Sequence, residues 1–403
     1  MTLAVVQNLL HSHDEFFTGL CTLLLSVTLS FIAGIYLGSV SDILVLIPGL
    51  MVLVTPSINM RGAIAGILTS RLSSSMHIGS FEKSLARGTD LGDNLRSAII
   101  LTVAISAVLA LFGKFICIVS GTEVIAMFEM LVISVIAGTV SGILVTLAGV
   151  LISLICYRAN WNLDMIGAPV VTTLGDILTL PSLVITALLV MQLPFIGLCI
   201  AGAVVLALFI WALVTGIRGT HLMKDVLKEG LPLLVPLCLL GILAGVLYTN
   251  KLESLISAAA VLILISPFMN GCGSIGGILT SRIGTEMHMG LVDAKIFPQK
   301  TVWKHFGENF LYAAIILPLM GLLTHLAALA FDIASPGLVP MLLLSLIAGA
   351  FVILVMNLLG YYTAVFAYRK GFDPDNFGVP VVTSSIDLVG ATALIIVMAV
   401  LFV

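Results

Sequence analysis

Charge is what this chain lacks. Only 9% of its 403 residues are Asp, Glu, Lys or Arg, while 60% are hydrophobic; a soluble domain carries about a quarter charged residues. That balance excludes a soluble globular enzyme and makes the bilayer span the unit to count. The net charge of −3 is too small to imply a nucleic-acid or acidic partner. CxxC spacing is missing: Cys21, Cys117, Cys156, Cys199, Cys238 and Cys272 are scattered through apolar segments, which argues against a zinc site or a disulfide framework. A basic leader is missing too. Asp14 and Glu15 precede the first apolar stretch, and Phe16 to Gly38 is too long for a signal core, so it reads as a retained span.

What is present is apolar length. Eleven runs are long enough to cross a bilayer as helices, near 16–38, 43–71, 95–118, 124–156, 167–190, 192–217, 229–249, 255–282, 308–331, 338–367 and 378–403. Arg61 aside, fourteen Lys and Arg residues in the loops and at the ends of these runs fall on the side of the N-terminus, and only Lys114 and Lys251 on the other. The bias predicts a multi-pass protein of the cell membrane with a cytoplasmic N-terminus and an extracellular C-terminus.

The chain also repeats itself. "LTSRLSSSMHIG" at 68–79 returns as "LTSRIGTEMHMG" at 279–290, an offset of 211. The same offset pairs Pro56 with Pro267, Asn59 with Asn270, Gly62 with Gly273, Asp164 with Asp375 and Asp176 with Asp387. Each copy holds five spans, an odd number, so copies joined directly would point in opposite directions. The span at 192–217 has no partner in the repeat and restores the direction, giving two parallel copies about a pseudo-two-fold axis. The expected fold is an all-α integral membrane protein with two parallel five-helix repeats joined by one linking helix. The first module covers 14–190, the linking helix 191–218 and the second module 224–403.

Asp176 and Asp387 each stand alone in an apolar segment, "GAPVVTTLGDILTL" (167–180) and "GVPVVTSSIDLVGA" (378–391). A carboxylate at mid-bilayer costs about 2.5–3.5 kcal/mol on insertion scales and marks an ion pathway by default. Two such anions facing one another need a cation or a proton. Thr172, Thr173, Thr383 and Ser384 sit three or four residues before the aspartates, on the same helical face. Asn59 and Asn270 lie in the glycine-rich middle of the second and eighth spans. These are oxygen ligands without a His or Cys cluster, a set that suits a hard, largely hydrated cation such as Mg²⁺. The competing reading is that each aspartate is a structural hydrogen-bonding residue between helices.

"TPSINMRGAIAG" (55–66) and "SPFMNGCGSIGG" (266–277) place proline and clustered glycine inside a span. That predicts a kinked or opened helix lining a path at Gly62 and Gly273, or else close packing by small residues. Arg61 lies in the same stretch, with Cys272 in its place in the other copy. It reads as a snorkelling or carbonyl-bonded arginine, or as a fixed charge that limits leak. Asp93 and Glu308 read as acids complementing helix N-termini on the cytoplasmic side, with an inner ion site as the alternative. Asp164 and Asp375 read as caps, and His77 and His288 as helix-end residues.

"TPSINMRGAIAGILTSRLSSSMHIG" and "FDPDNFGVPVVTSSIDLVGATALII", with their partners, resemble the MgtE magnesium channels and, more closely, solute-carrier family 41, which carries two MgtE-type modules in one chain. The resemblance covers nearly the whole chain outside 192–217. It implies a pore between two five-helix modules and selectivity for Mg²⁺. It also implies a central ion-binding aspartate at Asp176 and Asp387, with the carbonyls of Thr172 and Thr383 contributing. Two departures stand out. The Gly-Asn pair common in the family's second helix is Gly62-Ala63 and Gly273-Ser274 here, and the cytoplasmic N and CBS domains of MgtE channels are not found in these residues.

The expected function is therefore Mg²⁺ transport with no organic cofactor, through a site to which Asp176 and Asp387 contribute. Mn²⁺ or Co²⁺ could pass a site of this type. A Na⁺-coupled Mg²⁺ exchanger using the same residues is the alternative. An intramembrane metal-dependent lipid enzyme is a further class, disfavoured because each repeat holds one mid-depth acid and no clustered motif. Membrane lipid is the surrounding partner, no nucleic acid is implied, and a monomer suffices because both copies lie in one chain.

Overall fold

The computed structural model describes residues 2–78, 81–82, 84–159, 163–371 and 377–402, with side chains described for all of these except 2–15, 73–74, 77–78, 156–157, 159 and 163–170. The side chains of His77 and Asp164 and the whole of Asp375 therefore lie outside the described residues. The described chain is helical, in thirteen helices: α1 (Thr2–Ser39), α2 (Ser41–Leu46), α3 (Leu50–Ile78), α4 (Asp90–Ser120), α5 (Met127–Ala159), α6 (Leu163–Gln192), α7 (Phe195–Ile217), α8 (His221–Asn250), α9 (Leu252–Ser257), α10 (Ala260–His288), α11 (Lys300–Ala330), α12 (Leu338–Lys370) and α13 (Val379–Leu401). Eleven of them are long and apolar enough to cross a membrane. These are the two sets of five and the linking helix, α7, so the protein is an all-α integral membrane protein.

The helices differ from the apolar runs at their ends, for local reasons. The second run splits into α2 and α3 because Pro48 lacks an amide donor and Gly49 turns the chain at φ +83°. The third, seventh and ninth begin earlier than their apolar windows, at Asp90, His221 and Lys300, because helix formation continues into polar first turns. Thr89 caps α4 by accepting from the Gly92 amide, and Thr220 caps α8 by accepting from that of Met223.

The opened backbone predicted for the second and eighth spans is absent. Helices α3 and α10 run unbroken through Pro56 and Pro267. A proline deletes one donor, and here the turns on either side carry the helix past it. Gly62, Gly273 and Gly276 meet neighbouring helices closely, while a Cβ on Gly66 would meet nothing within 4 Å.

Contacts divide the chain into two compact units, residues 35–262 and residues 1–34 with 263–403. The division does not follow the sequence copies. The first helix of each copy is grouped with the later helices of the other: α1 with α11 to α13 and most of α10, and α8 with α3 to α6.

Small residues make these groupings possible. In the unit of residues 35–262, α3 packs on α4, α5, α6 and α8. A Cβ on Gly245 of α8 would lie 2.8 Å from the Val52 carbonyl oxygen of α3, so only glycine permits that approach. In the other unit, a Cβ on Gly34 of α1 would lie 2.1 Å from the Ile263 carbonyl oxygen at the start of α10. Helix α7 packs on α4, α5 and α8 but stays mostly exposed, with Phe195, Ile200, Leu206 and Leu213 on its surface. For an apolar helix of a membrane protein, that face is one for lipid.

Candidate functional site: two buried aspartates on glycine-packed helix pairs

Each aspartate is positioned by a helix pair, and the two pairs are built alike. In residues 35–262, α3 meets α6 where side chains are smallest. A Cβ on Gly62 would lie 3.4 Å from Thr172 Cγ2, and one on Gly175 would lie 3.4 Å from the Gly62 amide nitrogen. Asp176 follows directly and is 8% exposed, with Thr173 fully buried one turn earlier. In the other unit, a Cβ on Gly273 of α10 would lie 3.5 Å from Ile386 Cγ2 and 3.7 Å from Thr383 Cγ2 of α13. Asp387 follows at 4% exposure, with Ser384 fully buried. The contact of Gly62 with Thr172 is thus reproduced by Gly273 with Thr383. The copies differ at one position of this contact, where Gly175 is matched by Ile386.

The oxygen atoms around the aspartates are engaged differently. Thr383 Oγ1 donates within its own helix, to the carbonyls of Val379 at 3.0 Å and Pro380 at 3.2 Å. Ser384 Oγ is buried and has no hydrogen-bond partner. A buried hydroxyl without a partner loses about 1–3 kcal/mol, and this one lies one turn before Asp387.

Asn270 is embedded in a hydroxyl network with the first helix. Its Oδ1 accepts from Ser26 Oγ at 3.1 Å and from Ser274 Oγ at 3.2 Å, and its Nδ2 donates to Ser30 Oγ. The repeat puts Leu237, Gly241 and Ala63 at the corresponding positions around Asn59. The two asparagines therefore sit in different surroundings despite their matched positions.

Arg61 is turned into packing between helices and is 1% exposed. Its Nη2 donates to Ser106 Oγ of α4 at 2.6 Å, while Nε and Nη1 have no partner. Gly138 of α5 leaves the room: a Cβ there would lie 2.2 Å from Arg61 Nη2 and 2.1 Å from Ser106 Oγ. The guanidinium neither snorkels nor bonds a carbonyl. Cys272, its counterpart, is fully buried.

Polar anchors at the ends of the spans in each unit include pairings that the sequence pattern did not single out. Asp93 Oδ2 accepts from Thr220 Oγ1 at 2.7 Å and from the Gly88 amide at 3.1 Å, and its other oxygen meets Arg96 Nη1 at 3.4 Å. Arg71 pairs with Glu229. Arg282 Nη1 meets Glu308 Oε2 at 2.6 Å, and His305 lies between Glu286 at 2.9 Å and Glu308 at 3.4 Å. The missing signal was long-range, since Arg71 and Glu229 are 158 positions apart. Among the described residues, no group of three or more His, Cys, Asp or Glu side chains is placed to hold a metal ion. The site chemistry is that of single carboxylates with hydroxyl and amide oxygens.

The MgtE family, described as divalent cation transporters, matches twice, over residues 54–186 and 265–397. The second match begins and ends 211 residues after the first, the offset of the sequence repeat. Solute carrier family 41 member 3 of Mus musculus is 23% identical over 374 residues, covering 86% of this chain and 74% of its own length. Among solved structures, the eukaryotic MATE transporter AtDTX14 is aligned over 95% of this chain and 96% of its own, at 13% identity and a TM-score of 0.38. That score is too low to support an argument about fold. The paired family matches take in more than half of the sequence, both glycine contacts and both aspartates, and the chain belongs to the MgtE family of divalent cation transporters.

Proposed function

We propose that the transported ion is Mg²⁺ and that Asp176 and Asp387 are the acids that receive it. The observation supporting this reading most directly is the duplicated construction. In each copy a glycine-to-threonine helix contact precedes a buried aspartate, four residues after the threonine. Structural hydrogen bonding alone gives no reason for the same acid to be kept in two copies whose other polar contacts have diverged. Mg²⁺ surrenders its water reluctantly and takes one or two carboxylates with its remaining shell. A pair of single aspartates flanked by Thr173 and Ser384 offers that chemistry without a full protein cage. The carbonyls of Thr172 and Thr383 are the next oxygens in line.

The two sequence copies act as the functional halves, and one chain suffices for transport. The fourteen-to-two bias of basic residues puts the N-terminus in the cytoplasm.

The test is Mg²⁺ uptake into proteoliposomes by wild type, Asp176→Asn and Asp387→Asn, each with and without a Na⁺ gradient. Loss of uptake in both variants is the expected result, and the gradient dependence then separates an exchanger from a channel. Normal uptake in both would make the aspartates structural and sink the reading.

A further inference from the structure

Buried hydroxyls in a helix normally bond the carbonyl four residues back, and most of those here do. Thr69, Thr139, Thr280 and Thr324 each donate to that carbonyl, at 2.7–3.0 Å. Among the described residues five buried serine and threonine hydroxyls lack any partner: those of Thr102 and Ser384, and three more on α3, α6 and α10. Thr55 Oγ1, Thr179 Oγ1 and Ser266 Oγ have no hydrogen-bond partner, and the three residues are 6%, 2% and 5% exposed.

Their positions are related. Thr55 and Ser266 are separated by the repeat offset of 211 and each immediately precedes the proline of its span. Thr55 lies seven residues before Gly62, and Thr179 seven residues after Thr172. Seven residues are close to two turns, so Thr55 shares the face of α3 that carries Gly62, and Thr179 the face of α6 that carries Thr172. Gly62 and Thr172 are in contact. The two helices run antiparallel, because Gly149 of α5 meets both Thr69 and Val171 while Gly62 meets Thr172 and Gly175. Continued along that register, Asn59 falls level with residues 175–178 and Thr55 with residues 179–182, beginning at Thr179. Two unpartnered hydroxyls thus belong to one helix–helix face, about one turn from Asp176 toward the C-terminal end of α6.

We propose that Thr55 and Thr179 form a hydroxyl station that binds the hydrated divalent cation beside Asp176, and that Ser266 supplies the matched hydroxyl in the other copy. The inference rests on the Mg²⁺ reading above and adds ligands to it. A neutral oxygen suits such a station: it can replace or hold a shell water without adding a second deep well beside a carboxylate. Conduction requires binding strong enough to enter and weak or multi-site enough to leave. The unpartnered hydroxyls are also what a site for a transient ligand requires, because a hydroxyl bonded to its own helix would have to break that bond first.

The experiment compares wild type with Thr55→Val, Thr179→Val, Ser266→Ala, their triple combination and Thr55→Ser. It measures thermal unfolding in detergent and the Mg²⁺ concentration dependence of uptake into proteoliposomes. Removing a hydroxyl that has no protein partner leaves the unfolding temperature unchanged or raises it. The same variants raise the half-saturating Mg²⁺ concentration, by about fivefold for each contact of hydrogen-bond strength lost, and Thr55→Ser stays near wild type. Wild-type uptake by the triple variant, with Asp176→Asn inactive, overturns the station and leaves the aspartate reading standing. A loss of uptake that only follows a lowered unfolding temperature also overturns it. Normal uptake by Asp176→Asn removes the reading on which it rests.

Discussion

Ser26 of the first helix donates its hydroxyl to Oδ1 of Asn270, 244 positions away, across 3.1 Å. With Ser30 it ties α1 to the span that begins the second family match. The first helix of the chain thereby packs in the same unit as Asn270, Thr383 and Asp387. This contact makes Asn270 an anchoring residue, whatever else its amide does.

Ser26→Ala combined with Ser30→Ala should lower the unfolding temperature, because Asn270 loses two hydroxyl partners inside an apolar bundle. Each hydrogen bond lost costs about 0.5–1.5 kcal/mol, and Ser274 remains as a partner of Oδ1. Thermal unfolding in detergent reads the loss. A fall in Mg²⁺ affinity with unchanged stability would instead make Asn270 an ion ligand.

Gly62 distinguishes a small packing change from separation of the helices. A Cβ at Gly62 would meet Thr172 Cγ2 at 3.4 Å, at the edge of ordinary contact. Gly62→Ala should therefore fold and transport nearly as wild type. Gly62→Leu must push α3 from α6 and displace Asp176, so its uptake should be lost. Equal activity of both variants in proteoliposomes would show that this contact does not position the aspartate.

Gly138→Ala is expected to be among the most damaging single-methyl additions. The new carbon would fall 2.1 Å from Ser106 Oγ and 2.2 Å from Arg61 Nη2, inside a fully packed region. Overpacking of this kind costs about 1–3 kcal/mol, and here it also breaks the one hydrogen bond of the guanidinium. Expression yield and unfolding temperature should both fall; wild-type values would show that the buried arginine can be rehoused.

Arg61→Met tests the cation itself. Replacing a buried charge by an apolar side chain of similar length is often neutral or stabilising, and two guanidinium nitrogens have no acceptor to lose. The unfolding temperature should hold or rise. If the fixed positive charge restrains cation flux, uptake in the same variant should increase. Unchanged uptake assigns Arg61 to packing alone.

The loop joining α10 to α11 gives a pH test outside the spans. Hydrogen bonds from Lys295 and Gln299 hold the Asp293 carboxyl below its ordinary value. A depressed folded value means that the pairing contributes above the unfolded value and is lost as pH falls through the folded one. The pair is fully exposed, so its effect is local. Lys295→Ala should return the Asp293 titration, read from labelled carboxyl carbons, toward its ordinary position.

Much of this architecture is written along the chain because its causes are local or periodic. A shortage of charge and long apolar runs are enough to require spans, since backbone polar groups cannot be left unpaired in hydrocarbon. The 211-residue offset exposed the duplicated aspartates without any structure. It also pairs Thr55 with Ser266, and that match could have been weighed before the fold was known. Partnership was not legible. That Asn270 bonds α1 serines, that Arg61 turns toward Ser106, and that Thr55 and Thr179 lack partners depend on which helices meet and at what rotation. Those choices are made by glycine contacts such as Gly245 against Val52 and Gly62 against Thr172. Sequence periodicity fixes which face of a helix a residue occupies; only the packing of distant helices decides what that face meets.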